Sequence, residues 1–470
     1  MSTSRLRLAF VIAVVLGFGV AAKGRWQVAD SFIFAGSDSY GYVNLANELY
    51  QHGRYSLGPT QPLHYGRVPL YPLFIAAVKG DAKAEMMGGP GWGRIKWGQA
   101  LADLLIALPL MLWMGWRHSR AAGVVALWLG ALWPLTLMFV GAALTESLSA
   151  TLTVLTIAPL VGLATRPETT TPQRRRLYWI WAGAGLALST LIRPDGLMLG
   201  SAFIPALFTE PATTNVWRGR MRASLFALAG FLVIYGAWPV RNMIQFGAPH
   251  WLGTHTDRYA KPMDHYRGYW NWMRSWGRDS VCQTAPATCF FNPPCAVGVA
   301  GYEAGAFDSD EEKKQVAALF ALRAKEGLSK AVDEGLQHVA DQRMWHHPLR
   351  SFVWLPLSRA FHMWFATHDE ILSVVIPKEP MIRLFRRAYG ALAGILIVGC
   401  VAAFVFLRRR RETALLAMVL FVPIVVRTLT LSFFLYSMPR YAVEVMPIAL
   451  VLVAIGGTAA VSALRRRRTT

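Results

Sequence analysis

The sequence predicts an all-α polytopic membrane protein, and three features of its composition carry this prediction. Hydrophobic residues make up 54% of the 470 residues and charged residues only 16%, whereas about 25% of residues are charged in a typical soluble domain. The apolar residues gather into runs close to the roughly 20 residues that a helix needs to cross a bilayer. The 18 tryptophans and 15 tyrosines suit a protein with many water–bilayer boundaries, where amphipathic aromatic rings settle.

We interpret about ten of these runs as transmembrane helices from their length and apolar character. The runs are 8–24, 96–116, 121–140, 146–164, 177–192, 195–209, 223–240, 387–407, 413–435 and 441–463. Two neighbouring runs, 177–192 and 195–209, are short, and the alternative for them is a tight hairpin that does not fully cross. The first run follows Arg5 and Arg7, as in a signal peptide, but lacks a clear small-x-small cleavage site. We therefore expect an uncleaved first span.

Positive charge lies in short clusters between the apolar runs, and this distribution predicts the orientation of the chain. The net charge is +21, and cytoplasmic loops of membrane proteins are enriched in Lys and Arg. The clusters are Arg117–Arg120, Arg174–Arg176, Arg218–Arg222, Arg408–Arg411 and Arg465–Arg468. Placing residue 1 in the cytoplasm and alternating the spans puts every cluster and the C-terminus inside. This predicts a multi-pass protein of the inner or plasma membrane with both termini cytoplasmic, and no nucleic-acid partner.

The same orientation divides the chain into three parts. Residues 1–241 are expected to form an N-terminal transmembrane module, which includes a first outer loop over 25–95. Residues 242–386 are expected to form a small extracytoplasmic insertion domain, and residues 387–470 the C-terminal transmembrane helices.

Juxtamembrane amphipathic helices are predicted in the outer segments. The stretch Gly41–His52 has apolar residues at i, i+3, i+4 and i+7, and Gly53 supplies a stop signal. The apolar stretch Val68–Val78 is too short to span. In the insertion, Ser309–Arg343 is expected to be one soluble helix, and the aromatic stretch Pro348–Phe365 is expected to lie flat on the membrane.

The cysteines leave one question open. Cys282, Cys289 and Cys295 cluster in the predicted insertion, where an oxidising compartment would permit one disulfide and leave one thiol over. A zinc site is the weaker alternative, because no CxxC pair is present. No cofactor is expected to be required, and a divalent metal is possible but not indicated. Cys400 lies within an apolar run.

Ionisable residues recur at the predicted outer ends of the spans. They are Asp38, Arg67, Glu146, Arg193, Asp195, Arg241 and Arg440. The four arginines lie outside, against the inward bias of positive charge. Snorkelling explains any one of them, but four near one membrane face indicate a shared anion, and guanidinium groups bind phosphate in a bidentate manner.

The carboxylates at this face have both structural and functional interpretations. Asp38, in Gly36-Ser37-Asp38-Ser39-Tyr40, fits an N-cap and equally a general base kept anionic by the helix N-terminus. Glu146 follows Thr145 at a helix start, where a structural role alone would suffice. Asp195, in Arg193-Pro194-Asp195-Gly196, fits a tight turn.

Two charged residues lie inside predicted spans. Asp103 falls in the second span and Arg427 in the ninth. Intramembrane charges are costly and indicate function by default. The alternative is that the two residues pair with each other structurally.

The order of these motifs resembles the GT-C glycosyltransferases, in particular the protein mannosyltransferase and aminoarabinose transferase branch (glycosyltransferase family 39-like). The resemblance covers most of the spans and is weak across 255–345. The motifs that carry it are Asp38-Ser39-Tyr40-Gly41-Tyr42, Arg67-Val68-Pro69-Leu70-Tyr71, Thr145-Glu146, Arg193-Pro194-Asp195-Gly196, Trp238-Pro239-Val240-Arg241-Asn242 and Pro439-Arg440-Tyr441.

The resemblance implies a mannosyltransferase-like transfer of a sugar from a polyprenyl-phosphate donor to an acceptor hydroxyl, with inversion, at the extracytoplasmic face. It implies Asp38 as general base and Glu146 as a second catalytic carboxylate that binds hydroxyls. It implies Arg67, Arg193, Arg241 and Arg440 as ligands of the donor phosphate, and Tyr40, Tyr71, Asp195 and Tyr441 as substrate contacts. The partners expected are membrane lipid, the donor, and a glycan, lipid or protein acceptor.

Three alternatives stay open. A lipid-linked oligosaccharide ligase or polymerase would use the same kind of donor without an essential carboxylate base. A transporter or flippase would place its site at the membrane midplane, where only Asp103 and Arg427 support it. A non-catalytic scaffold subunit is the third.

Overall fold

The fold is helical throughout the part of the chain that the computed structural model describes. That part comprises residues 3–31, 37–84, 89–165, 169–211, 216–252, 266–278, 290–291, 302, 304–367, 372, 379–433 and 438–469. The chain divides into two compact units: Met1–Gly253 with Thr367–Val426 and Val443–Thr470, and Thr254–Ala366 with Arg427–Ala442. Cys282, Cys289 and Cys295 lie outside the described residues, so their pairing stays open.

The helices of the N-terminal half lie in the first unit. They are α1 (Thr3–Ser31), α2 (Ser37–His52), α3 (Leu70–Lys79), α4 (Pro90–Ala102), α5 (Leu108–His118), α6 (Arg120–Leu132), α7 (Pro134–Val140), α8 (Glu146–Thr165), α9 (Pro172–Ile192), α10 (Phe203–Leu207), α11 (Val216–Tyr235) and α12 (Ala237–Phe246). A π-helical turn, Asp103–Ala107, joins α4 to α5, and a 3₁₀ helix, Pro194–Ala202, precedes α10.

The helices after residue 253 serve both units. They are α13 (Arg267–Arg274), α14 (Asp310–Glu326), α15 (Lys330–His346), α16 (Leu355–Phe365), α17 (Glu379–Arg408), α18 (Ala414–Phe433), α19 (Arg440–Val443) and α20 (Met446–Thr469). A 3₁₀ turn, Ala304–Ala306, precedes α14, and a π-helical turn, Arg350–Trp354, precedes α16.

The protein is a polytopic membrane protein, but the expected count of ten spans is not confirmed. Among the described residues, six helices are long and apolar enough to cross a membrane, and counting the two bent pairs α6–α7 and α11–α12 as spans gives eight. The run 195–209 is divided between the 3₁₀ helix and the five-residue α10. Helix α9 starts with Arg174–Arg176, which leaves an apolar stretch shorter than a standard span.

Helices α9 and α11 pack with their backbones in close contact through two glycines. A Cβ atom at Gly183 would lie 1.8 Å from the carbonyl oxygen of Ala227, and one at Gly230 would lie 2.2 Å from that of Ile180. Small residues at such positions let membrane helices approach closely, since lipid supplies no hydrophobic drive for their association.

We expect Gly230→Ala to lower the thermal unfolding temperature of the purified protein, because the methyl group must push α11 away from α9 at a cost of about 1–3 kcal/mol. Gly219→Ala in the same helix is the matched control, since its Cβ would meet only the Glu210 side chain at 3.9 Å. Equal unfolding temperatures for the two variants would contradict the backbone contact.

A buried ion pair ties the first helix to the rest of the first unit. Arg25 is 1% exposed, and its Nε donates to the Asp103 carboxylate. Its other nitrogens donate to the carbonyl oxygens of Ala21, Gly130 and Ala131. Asp103 therefore has a structural partner in α1, and the sequence had offered only Arg427 for that role.

The second unit has its own core of aromatic and aliphatic side chains from α13, α14 and α15, with Trp272 at its centre. The single helix expected over Ser309–Arg343 is wrong: α14 ends at Glu326, the next residue, Gly327, has a φ of 76°, and α15 starts at Lys330. The positive φ ends α14, and only glycine adopts it readily. Ser309 caps α14 by accepting from the Glu312 backbone N–H.

Candidate active site

The segment from α2 to the start of α3 brings Asp38 and Arg67 together. Helix α2 starts earlier than expected, at Ser37, so Asp38 lies in its first turn, where a carboxylate is favoured by the helix dipole. Gly53 ends α2 with a φ of 65°, as predicted. Arg67 Nη2 donates to Asp38 Oδ1 at 3.0 Å, and Arg67 Nη1 donates to the Asp38 carbonyl oxygen at 3.4 Å.

The Asp38–Arg67 pair is partly open to solvent and lies beside Tyr42. The two side chains are 42% and 21% exposed, and the Arg67 guanidinium lies 4.4 Å from the centre of the Tyr42 ring. Burial on its own would lower the pKa of Arg67, but Tyr42 and the Asp38 carboxylate act the other way, and its pKa is raised. A Cβ at Gly41 would lie 3.2 Å from Arg67 Nη2, so Gly41 makes room for this guanidinium.

Internal hydrogen bonds hold the segment between Gly53 and Arg67 in place. Ser56 and Leu63 form an isolated antiparallel bridge, and the Tyr55 hydroxyl donates to the carbonyl oxygens of Arg67 and Val68 at 3.0 and 3.2 Å. His64 Nε2 accepts from the Arg67 backbone N–H at 3.1 Å. The position of Arg67 is therefore set by its main chain as well as by Asp38.

Tyr40 and Tyr71, which the sequence suggested as substrate contacts, belong to a hydrophobic cluster in the same unit. Tyr71 is fully buried, and its hydroxyl donates to Gln99 Oε1 at 2.8 Å. Gln99 in turn donates to the carbonyl oxygens of Val140 and Ala142. The Tyr40 ring meets Trp92 edge-on, with centroids 5.8 Å apart. Both tyrosines therefore pack against neighbouring side chains, Tyr71 against Gln99 and Tyr40 against Trp92.

Arg193 lies at the centre of a cluster of carboxylates. Its backbone leaves α9 in an extended conformation, as expected for a residue before proline. Its Nη1 donates to Glu146 Oε1 at 3.1 Å and its Nε to Asp195 Oδ1 at 3.1 Å, and Nε lies 2.9 Å from Glu444 Oε1. Glu146 and Glu444 are almost fully buried. The Arg193 guanidinium therefore balances carboxylate charge inside the protein.

Arg241 lies in a different environment, among aromatic rings. Its guanidinium lies 5.1 to 5.4 Å from the centres of the Tyr55, Trp238 and Phe246 rings. Nη1 donates to the His64 carbonyl oxygen at 2.8 Å and to Asn242 Oδ1 at 2.7 Å. Nη2 is buried without a hydrogen-bond partner among the described residues.

An open cleft of about 490 Å³ borders Arg241. Its lining consists of Leu49, Gly53, Arg54, Tyr55, Leu63, Arg241 and Gln245. Two guanidinium groups beside apolar and aromatic side chains suit an anion that is attached to a hydrocarbon.

The remaining predicted residues belong to the second unit. The Arg440 guanidinium lies 5.5 Å from the centre of the Tyr441 ring, and the Tyr441 carbonyl oxygen accepts from Arg427 Nε at 3.2 Å. Arg427, 2% exposed, therefore supports the start of α19, where Arg440 lies.

Sequence reasoning missed Glu444, His64 and Tyr55. Glu444 precedes the last span by two residues, and the criterion that selected Glu146, an acidic residue at an outer helix end, would have found it. His64 and Tyr55 carry no comparable signal, because they act through hydrogen bonds of a loop whose path the sequence does not give. Among the described residues, no group of three or more His, Cys, Asp or Glu is arranged to hold a metal ion.

The helical arrangement is similar to that of an oligosaccharyltransferase, a protein of the GT-C superfamily. The fold is similar to the oligosaccharyltransferase AglB from Archaeoglobus fulgidus in the apo form, with a TM-score of 0.53, 14% identity and coverage of 98% of this chain and 51% of that one. The AglB complex with an inhibitory peptide and a dolichol-phosphate gives a TM-score of 0.51 at 14% identity, again covering 98% and 51%. The chain thus spans about half the length of AglB.

A further similar structure is ArnT from Cupriavidus metallidurans bound to undecaprenyl phosphate. Its TM-score is 0.42 at 14% identity, covering 95% of this chain and 78% of that one. No protein-family model and no curated protein sequence matches this chain. The similarity to AglB therefore concerns the fold, that of a multi-pass helical membrane protein.

Proposed function

We propose that this protein is an inverting glycosyltransferase that moves a sugar from a polyprenyl-phosphate donor to an acceptor hydroxyl at the extracytoplasmic membrane face. The observation that carries the proposal is the Asp38–Arg67 pair: a partly exposed carboxylate in the first turn of α2, held at 3.0 Å by a guanidinium. The GT-C fold supports it, as does the dolichol-phosphate in the AglB complex.

Asp38 acts as the general base in this proposal. The acceptor oxygen attacks the anomeric carbon, its proton passes to the Asp38 carboxylate, and the bond between the anomeric carbon and the phosphate oxygen breaks. Polyprenyl phosphate leaves, and one displacement inverts the anomeric configuration. A base placed in this way typically contributes about 10²–10⁴ in rate.

Arg241 and Arg67 supply the positive charge for the departing phosphate. Arg241 is the stronger candidate, because it borders the open cleft and its Nη2 has a hydrogen-bonding capacity that no described residue takes up. Fixed cations at a developing charge stabilise the transition state without reorganisation. The lipid tail of the donor stays in the membrane beside the helices.

The contacts of Arg193 favour a role other than the phosphate contact that the sequence suggested. We propose that it orders Glu146, Asp195 and Glu444, since its guanidinium contacts all three carboxylates. The site proposed here is drawn from residues of the first unit, and Arg440 and Tyr441 belong to the second. The acceptor class stays open among glycans, lipids and proteins.

The test is a transfer assay with the purified full chain in lipid nanodiscs and a panel of labelled donors, undecaprenyl-phosphate sugars and undecaprenyl-diphosphate oligosaccharides. We expect undecaprenyl phosphate to be released and the label to reach an acceptor with inverted configuration at the anomeric carbon, determined by NMR. Retained configuration would overturn the single displacement. Consumption only of diphosphate-linked oligosaccharide would favour a ligase, and translocation of intact donor would favour a flippase.

A further inference from the structure

His64 lies between the two arginines proposed to meet the phosphate. Its Nε2 accepts from the Arg67 backbone N–H at 3.1 Å, and its carbonyl oxygen accepts from Arg241 Nη1 at 2.8 Å. The backbone N–H of His64 donates to the Tyr55 carbonyl oxygen at 2.6 Å. One residue on the loop between α2 and α3 is thus bonded to the main chain of Arg67 and to the side chain of Arg241.

The bond at Nε2 depends on the protonation state of the imidazole. A backbone N–H is always a donor, so Nε2 must offer its lone pair, which requires the neutral ring with its proton on Nδ1. Protonation would set an N–H on Nε2 against the N–H of Arg67. His64 is only 7% exposed, so water has little access to replace the lost bond.

The surroundings of His64 increase this dependence. Two arginines, Arg67 and Arg241, are hydrogen-bonded to His64, and the Arg67 guanidinium is in turn paired with Asp38. The adjoining Tyr55 carries a neutral phenol, with ring centroids 6.2 Å apart. A protonated His64 would therefore add a third cation beside two existing ones.

We propose that His64 is a positioning residue whose neutral imidazole keeps Arg67 and Arg241 in their positions relative to each other. Binding of a lipid phosphate therefore weakens at mildly acidic pH. The inference rests on the proposed function, since it assumes that these two arginines bind the phosphate. His64 acts through the arginines and does not contact the donor.

The experiment measures saturable binding of tritiated undecaprenyl phosphate to the full chain in detergent micelles between about pH 7.5 and about pH 5.5, a range that brackets histidine titration. His64→Gln keeps an acceptor near the position of Nε2 but does not titrate. We expect it to bind within about twofold of the parent at the higher pH, and His64→Ala to bind about tenfold more weakly.

The pH dependence separates a positioning role from a merely structural one. The ionisation of the phosphate is common to all variants, so we expect the parent to lose several-fold more affinity on acidification than His64→Gln. His52→Gln, an exposed histidine at the end of α2, is the matched control and should keep the pH dependence of the parent. Parallel curves for the parent and His64→Gln would overturn the inference.

A second measurement needs no substitution at His64. Hydrogen–deuterium exchange at the imidazole C2 position reports the protonation of His64 in the unmodified protein. Bound undecaprenyl phosphate should move the titration midpoint of His64 to lower pH, and an unchanged midpoint overturns the inference.

Arg241→Ala separates a failure of this inference from a failure of the proposed function. If that variant binds undecaprenyl phosphate like the parent, the proposed phosphate site fails, whatever His64 does.

Discussion

Asp38→Asn is expected to lower the rate of sugar transfer by about 10³ while leaving the protein folded. The amide keeps the shape of the carboxylate and still accepts a hydrogen bond from Arg67, but it cannot take the proton of the acceptor hydroxyl. The measurement is single-turnover transfer from a labelled undecaprenyl-phosphate sugar, with monodispersity on size-exclusion chromatography as the check on folding.

The matched control for this variant is Asp81→Asn. Asp81 lies between α3 and α4 and also faces an arginine, Arg94, at 3.7 Å, but its side chain is 88% exposed. We expect its transfer rate to match that of the parent. Near-normal turnover of folded Asp38→Asn would remove the general base and would favour the ligase, which shares the donor chemistry without needing a carboxylate.

Arg193→Leu is expected to destabilise the first unit by about 3–5 kcal/mol. Glu146 and Glu444, whose side chains are 1% and 2% exposed, would each lose the guanidinium that contacts them. Removing one partner of a buried ion pair is costly because the remaining charge is held away from water. Thermal unfolding of the purified protein, followed by intrinsic fluorescence, measures the effect.

Two further variants test the cause of this loss. Arg94→Leu removes an exposed guanidinium paired with exposed Asp81, and pairs of this kind contribute about 0–1 kcal/mol, so we expect little change. Adding Glu444→Gln to Arg193→Leu removes one of the buried charges and should recover part of the stability. An Arg193→Leu protein as stable as Arg94→Leu would show that the carboxylate cluster does not depend on Arg193.

The positions of the helices in the chain followed from the sequence where local rules apply. The apolar run at 146–164 became α8, and the turn signal at Gly53 ended α2. Local rules did not give the number of spans, because a stretch such as 195–209 is apolar enough to span yet folds as a 3₁₀ helix followed by a single short α-helix. Pro194 and Gly196 favour that outcome, and a Cβ at Gly196 would lie 2.1 Å from the Ser189 carbonyl oxygen.

The sequence by itself determined that this protein lies in a membrane and which charged residues are candidates for its functional site. A long apolar run and a charged residue at its end are properties of residue order, and the cost of burying a charge in lipid acts on them directly. Asp38, Arg67, Arg193 and Arg241 could be selected in this way before any contact was known.

Only the tertiary structure decided which of these charges meet. Arg193 and Arg241 have the same chemistry and both lie at predicted outer helix ends, yet one is held among Glu146, Asp195 and Glu444 and the other among aromatic rings beside an open cleft. The physical reason is that ion pairing depends on distances between residues far apart in the chain. Glu444 reaches Arg193 because the packing of the first unit brings the residues just before α20 to the end of α9.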